Sequence, residues 1–343
     1  MAAKVYIVLV NWNGAQDTLE CLETVLRLDY PDFQVIVCDN DSQDWSVENI
    51  LAWAGGEGAE VSAQNPLLDH LVRPNVSKPV SVEVLSRVDC AEEGRLTSSA
   101  RIIVIRTGAN LGFAGANNIG MNYGVAAGDA SYFWLLNNDT AVDPGALTAL
   151  VSRSQVANDQ GIVGSTLIFY NNIGMVQAMG VGKYCKTKAL SVPLGIYSDV
   201  SHLQCLNGLE IEANADFVVG ASMLISSKLL KEVGFMAENY FLYFEELDWA
   251  IRAKSLGYRS MYARDSFVYH KVGSSTARIV RNDLPASVRF SYNNRIMITG
   301  LYFKNELVLV RIRILVEGLR LLLGGRFREG FFAVKISFRR VVP

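Results

Sequence analysis

Val5-Tyr6-Ile7-Val8-Leu9-Val10-Asn11-Trp12-Asn13-Gly14 is the stretch whose reading decides the fold. An apolar run goes straight into two asparagines and a glycine. A run this short, closed by turn chemistry, reads as a buried strand. It is too short for the apolar core of a signal peptide, and no small-residue cleavage site follows. Helical spacing comes next: Leu19, Leu22, Val25 and Leu26 recur across residues 15–28, with Asp17 and Glu20 early in the segment.

The same pair of signals then repeats. Residues 33–38 read as a second strand, ending in Asp39-Asn40-Asp41-Ser42, with a short helix over 46–53. Residues 101–105 read as a third strand, 115–127 as a helix, and 131–136 as a fourth strand ending in Asn137-Asn138-Asp139. Alternating strands and helices imply a mostly parallel sheet flanked by helices. Ligands of such open sheets bind outside the carboxyl ends of the strands. Three strands here end in Asn/Asp clusters, so one rim is expected to carry them all. Residues 54–100, with Gly55-Gly56, Pro66, Pro74 and Pro79, break the rhythm and read as a surface insertion, partly loop. Later elements are expected at 144–156 (helix), 162–169 and 217–225 (strands), and 227–233 and 248–256 (helices). Residues 171–214 show no clear period.

The whole-chain numbers remove several classes. There are 343 residues, 50% of them hydrophobic, with a formal net charge of -2. That balance carries no nucleic-acid footprint. Cys21, Cys38, Cys90, Cys185 and Cys205 are dispersed without CxxC spacing, which argues against a disulfide framework or zinc site and suits a reducing cytoplasm. No stretch of 18 uncharged apolar residues occurs, so no transmembrane helix is expected.

The C-terminal part differs in character. Residues 307–323 are apolar but threaded with Arg311, Arg313, Glu317 and Arg320. Arg326, Arg328, Lys335, Arg339 and Arg340 follow, interleaved with Phe327, Phe331, Phe332 and Phe338. From 311 to 340, eight basic side chains stand against Glu317 and Glu329, a net of +6. A basic, aromatic, amphipathic tail suits an anionic membrane surface. The other reading is a helical hairpin that packs on the core or on a second subunit, as in a homodimer. The expected division is 1–286, carrying the 54–100 insertion, and a basic amphipathic helical extension over 287–343.

Several polar clusters carry chemistry. Asp139, at a strand end, can bind a hard divalent cation through oxygen, although Asn-Asn-Asp is also ordinary turn chemistry. Asp39 can accept the imide N–H of a pyrimidine base, or form an Asx turn. The Asn110-Leu111-Gly112-Phe113-Ala114-Gly115-Ala116-Asn117-Asn118 stretch lets a ligand approach the backbone, yet matches neither the dinucleotide fingerprint nor a P-loop. No basic phosphate loop follows the first strand, which argues against a nucleotidyltransferase. Glu245-Glu246-Leu247-Asp248 opens a helix, where the dipole favours acids, and can equally supply a general base. His270 closes the strand-like Phe267-Val268-Tyr269-His270.

Taken in order, these elements resemble family 2 glycosyltransferases of the GT-A fold. The resemblance rests on Val10-Asn11-Trp12-Asn13-Gly14, Asp39-Asn40-Asp41-Ser42, Asn110-Leu111-Gly112-Phe113, Asn117-Asn118, Leu136-Asn137-Asn138-Asp139-Thr140, residues 220–225 and Tyr243-Phe244-Glu245-Glu246-Leu247-Asp248. Tyr292-Asn293-Asn294-Arg295 and the tail are similar to bacterial rhamnosyltransferase-type enzymes of cell-surface polysaccharide synthesis. The resemblance implies an inverting, metal-dependent transfer from a nucleotide-sugar donor to a saccharide or lipid-linked saccharide. dTDP-L-rhamnose is the first choice of donor, and UDP-glucose or UDP-galactose the second. It assigns Asp39 to the base, Asn11, Asn13, Asn110, Phe113, Asn117 and Asn138 to the nucleotide-sugar pocket, and Asp139 and His270 to Mg²⁺ or Mn²⁺. Glu246 matches the catalytic base, with Glu245 the alternative and Asp248 beside them. Gly220, Ala221, Trp249 and Arg252 fall on the acceptor side. Two departures stand out: Asn137 replaces the first acid of the D-x-D element, and the base position holds Glu rather than Asp. A non-catalytic glycan-binding module would need the pocket but not the base. The implied location is cytoplasmic, at the inner face of the membrane.

Overall fold

The computed structural model of the chain describes residues 2–87, 98–158, 160–271 and 284–340. In chain order the described strands are β1 (Val5–Asn11), β2 (Phe33–Asp39), β3 (Val82–Ser86), β4 (Ile102–Arg106), β5 (Tyr132–Asn137), β6 (Thr140–Val142), β7 (Gly161–Phe169), β8 (Asn172–Met179), β9 (Val181–Cys185), β10 (Leu190–Pro193), β11 (Phe217–Val218), β12 (Ser222–Ser226) and β13 (Arg259–His270). The described helices of seven residues or more are α1 (Ala15–Val25), α2 (Ser46–Gly55), α3 (Gly112–Ala127), α4 (Ala146–Val156), α5 (Ser227–Val233), α6 (Glu245–Ser255), α7 (Ala286–Tyr302), α8 (Leu307–Leu323) and α9 (Phe327–Ser337).

The main sheet runs β3-β4-β2-β1-β5-β12-β7-β13-β6, with β8 on β7. Its first five strands are all parallel. The opening stretch explains why. Val5, Ile7 and Leu9 join a buried cluster with Leu22 and Val25 of α1 and Leu147 and Leu150 of α4. Tyr6 and Val8 join a second cluster with Met121 and Tyr123 of α3. A strand covered on both faces has no polar side to show, so its sequence is continuously apolar. Register then sets the rim: Asn11 pairs with Asp39, and Val10 with Asn137. The three polar strand ends are neighbours, as expected.

Some elements differ from the sequence reading. Residues 54–100 are not only surface loop, because β3 extends the sheet edge beside β4. The segment is also docked from inside. Glu23, fully buried on α1, accepts from Trp53 Nε1 at 2.8 Å, Val76 N at 2.7 Å and Lys78 Nζ at 3.2 Å. The expected strand 217–225 is two: β11 pairs with β9, and β12 with β5 and β7. Residues 171–214, without clear period, hold β8, β9 and β10. The helix expected from 248 starts at Glu245.

Three helices close the described chain. Val310 and Ile314 of α8, and Ala333 and Ile336 of α9, share one buried cluster with Tyr240, Phe244, Leu247, Ile296 and Ile298. Arg295 of α7 forks onto Glu317 of α8 at 2.7 and 2.9 Å. The opposite side of this hairpin is apolar as well. Val308, Ile312, Val316, Leu319 and Leu323 are exposed on α8, and Phe327 and Phe331 on α9. Among the described residues, no helix is long and apolar enough to cross a membrane.

Candidate functional site

The rim above β2, β1 and β5 is a buried polar network. Asn11 donates to Asp39 Oδ1 at 2.8 Å and to Ser42 Oγ at 3.0 Å. Ser42 N donates to Asp39 Oδ2 at 3.2 Å, and Asn13 N to Ser42 Oγ at 2.9 Å. Asn138 donates to Asn11 Oδ1 at 3.2 Å and to Thr18 Oγ1 at 2.8 Å. Asp39, Asn11, Asn13 and Asn138 thus form one connected set. Such a network, with its members satisfied, holds a single geometry.

A second strap joins this rim to α3. Asn40 donates to Asn110 Oδ1 at 3.0 Å and to Gly112 O at 3.2 Å, and accepts from Leu111 N at 2.9 Å. Asn117 lies one turn inside α3, where its amide donates to Phe113 O at 3.0 Å. Phe113 N donates to Phe241 O at 2.8 Å, so the loop at 110–113 touches the turn that precedes the acidic segment. Phe113 also lies beside Gly220: a Cβ on that glycine would stand 3.8 Å from the ring. Ala221 O accepts from Asn137 N at 3.0 Å. Gly220 and Ala221 therefore bridge the α3 loop and the end of β5.

Asp139 and His270 meet because β6 and β13 pair antiparallel, with His270 opposite Thr140. Asp139 Oδ1 is 3.2 Å from His270 Nε2. His270 Nδ1 is 3.0 Å from Gln177 Oε1, so the ring is held from both of its nitrogens. Asn137 Nδ2 is 3.2 Å from the same Nε2. A carboxylate beside an imidazole held in place fits Mn²⁺ or Mg²⁺. Among the described residues, no three His, Cys, Asp or Glu side chains gather as a metal group. An ion held here would need further donors from a diphosphate or water.

The acidic segment opens α6 from a turn of left-handed residues: Phe241, Tyr243 and Phe244 have φ of 62, 69 and 75°. Glu245 is buried and its Oε2 has no hydrogen-bond partner. Burial first, then the neighbouring Glu246, hold its carboxyl well above the usual range. Glu246 is half-buried, and burial pushes its carboxyl up to about 7. Asp248 is different. Its Oδ2 accepts from Tyr302 OH at 2.7 Å and Tyr240 OH at 3.2 Å, and its Oδ1 from Arg252 Nε at 2.7 Å. Those bonds make Asp248 a brace for the segment. Arg252 spends its other donors on Val233 O and Phe235 O, both at 2.9 Å. Trp249 corrects an expectation. It is fully buried, with its indole N–H on Gly234 O at 2.8 Å, so its ring belongs to the core and not to an acceptor surface.

Gln177, Thr18 and Ser42 belong to these networks and were not singled out as site residues from the sequence. Ser42 lies inside a quoted motif. Gln177 sits on β8, where the sequence offers no period to read.

Two family models match the chain. One described as "Glycosyltransferase like family 2" covers residues 75–285, and one described as "Glycosyl transferase family 2" covers residues 6–65. The chain is 24% identical over 152 residues to "Low-salt glycan biosynthesis hexosyltransferase Agl10" of Haloferax volcanii, spanning 44% of this chain and 45% of that protein. It is 24% identical over 229 residues to "N-acetylglucosaminyl-diphospho-decaprenol L-rhamnosyltransferase" of Mycobacterium tuberculosis, spanning 63% of this chain and 74% of that protein. Among solved structures, a mannosyltransferase from Pyrobaculum calidifontis in complex with GDP-Man and Mn²⁺ superposes with a TM-score of 0.51 at 13% identity, over 89% of this chain and 65% of that one. This last likeness concerns the fold alone.

Proposed function

The chain belongs to glycosyltransferase family 2, with the GT-A fold, and from that premise we propose an inverting, metal-dependent transfer of a sugar from a nucleotide-sugar donor to a hydroxyl of a lipid-linked saccharide. The observation that carries this reading is the single rim shared by Asp39, Asn11 and Asn137, with Asp139 and His270 3.2 Å apart beyond the end of β5. Asp39, fixed by Asn11 and Ser42, would receive the imide N–H of a pyrimidine base. Asp139 and His270 would hold Mg²⁺ or Mn²⁺. When bound, that ion neutralises the departing diphosphate. Glu246 takes the proton of the acceptor hydroxyl as its oxygen attacks the anomeric carbon. No covalent intermediate forms on the protein.

The mycobacterial relative's name gives L-rhamnose as the sugar moved and a decaprenyl-diphosphate-linked saccharide. That supports dTDP-L-rhamnose as donor and a lipid-linked acceptor in cell-surface polysaccharide synthesis. The haloarchaeal relative is named a hexosyltransferase, which favours UDP-glucose or UDP-galactose as the second reading. The basic, outward-facing hairpin supports a peripheral location at the inner face of the membrane.

The test is a panel of these three donors, scored by release of nucleoside diphosphate with an acceptor present. Turnover is expected with one donor, in Mg²⁺ or Mn²⁺, and its loss in EDTA. Nucleotide binding without turnover for any donor would indicate a binding module instead.

A further inference from the structure

The acidic segment hangs on a turn that does not hold itself. Phe244 is the N-cap of α6, and no side chain caps that end. Three of the turn's residues are non-glycine and left-handed. Such a turn persists only where its surroundings over-determine it.

One part of those surroundings is α3, whose Phe113 N donates to Phe241 O at 2.8 Å, and the other part is α7. Asn294 is buried, and its Nδ2 stands 3.0 Å from Tyr240 O, 2.9 Å from Leu242 O and 2.9 Å from Tyr243 O. An amide nitrogen carries two N–H groups. Three carbonyls converging on one nitrogen therefore share both of its protons, and the turn is closed around it. Tyr302, at the end of the same helix, donates to Asp248 Oδ2 at 2.7 Å and grips the first turn of α6. The helix is itself anchored. Arg295, the next residue, holds Glu317 and also donates to Lys188 O at 2.9 Å.

We propose that Asn294 is a positioning residue for the transfer reaction, holding the 240–244 turn in the conformation that presents Glu246 to the acceptor hydroxyl. This rests on the reading of Glu246 as the base. Asn294 is bonded to the carbonyls of the turn and acts through it. The Asp39 rim holds none of the hydrogen-bond partners of Asn294, and the turn meets the nucleotide side through Phe113 N on Phe241 O.

The experiment uses the full chain with dTDP-L-rhamnose, or whichever of the three donors turns over. Asn294→Ala is expected to lower kcat about tenfold or more, because a base slightly out of place loses most of its effect. KM for the donor and the affinity for its nucleoside diphosphate should stay within about threefold. The acidic limb of the pH–rate profile should also move to lower pH, since a loosened turn lets water reach Glu246. A lowered Tm with kcat and the limb unmoved makes Asn294 a packing residue and overturns the proposal. So does a fall in kcat without a shift of the limb, or one matched by a rise in KM. If Asn294→Ala does not fold, Tyr302→Phe decides. It keeps the ring and drops only the bond to Asp248, and a smaller change in the same direction is expected; unchanged kcat and limb overturn the proposal. Glu246→Gln measured alongside separates the two levels. Normal turnover there removes the base reading, whereas its loss with normal Asn294→Ala kinetics overturns only the present inference.

Discussion

Two neighbouring carboxyls at the head of α6, one buried and one half-buried, have environments that push their roles apart. Glu245 is the deeper one. Burial, which leaves its Oε2 unpartnered, and then the adjacent Glu246 make it hold its proton to higher pH than an ordinary carboxyl. Glu246, raised to about 7, is then the carboxylate able to accept one. A base works deprotonated, and its protonated form predominates below its pKa. We therefore expect kcat/KM to rise with pH through about 7 and level off above. Glu246→Gln should keep nucleotide affinity and lose transfer by about 10²-fold or more. Glu245→Gln keeps the size and shape of the deeper side chain and should stay within about fivefold. Rates of the two variants side by side check the assignment, and the reverse ranking would give the role to Glu245. Local spacing alone offered both acids, and the family resemblance favoured Glu246. What separates them is depth, Glu245 being buried and Glu246 half-buried, a tertiary fact that local spacing does not encode.

The element that joins the nucleotide rim to this segment is α3, and the joint is Gly112. Its φ is +72°, and a Cβ there would lie 2.2 Å from Phe241 O. Gly112→Ala must therefore strain the backbone and also push the 241–244 turn away. Gly128, at the other end of α3, is the control: its φ is +79° with nothing within 4 Å. Gly128→Ala should lower stability by about 1 kcal/mol and leave turnover intact. Gly112→Ala should lower Tm further and cost turnover at least about tenfold, because the base is displaced. Thermal melts and initial rates on both variants check this, and equal activity in the two would remove the joint's role. At this scale the sequence was informative where strands are buried on both faces. β1, β4 and β5 are continuous apolar runs, β2 is interrupted only by Gln34, and the polar ends of β1, β2 and β5 mark the rim. It was poor at the edge. β3 is half-exposed and includes Glu83, so it shows neither a clean run nor an alternation. The break between β11 and β12 at Gly220 was hidden because apolar residues continue on both sides of it.

Across the whole molecule, the C-terminal hairpin has two apolar faces with different fates. Val310 and Ile314 pack into the cluster that holds Phe244 and Leu247. Truncation from residue 307 would strip that cluster and confuse folding with targeting, so substitution on the other face is the cleaner probe. Val308, Ile312, Val316, Leu319 and Leu323 recur at three- and four-residue steps, a single stripe at about 100° per residue. Leu323 is 90% exposed and Phe331 65%. Arg313 and Arg320 flank this stripe at the same spacing, inside a segment of net charge +6. An apolar face bordered by arginines matches the boundary between acyl chains and anionic headgroups. The chain is expected to co-sediment with phosphatidylglycerol-containing vesicles, less so as salt rises, and weakly with phosphatidylcholine alone. Ile312→Ser, Val316→Ser and Leu319→Ser combined should release it from vesicles by about tenfold or more while Tm and turnover on a soluble acceptor analogue hold, since each lost apolar contact weakens partition. Failure of the wild type to bind such vesicles, or a solution dimer that the triple substitution dissociates, would assign the stripe to a second copy of the chain. Arg295 and Asn294 are consecutive on α7, one gripping this hairpin and the other the base-carrying turn. A hairpin fixed on a bilayer would therefore hold Glu246 at a fixed height above the lipid, within reach of a saccharide carried on a membrane-embedded diphosphate.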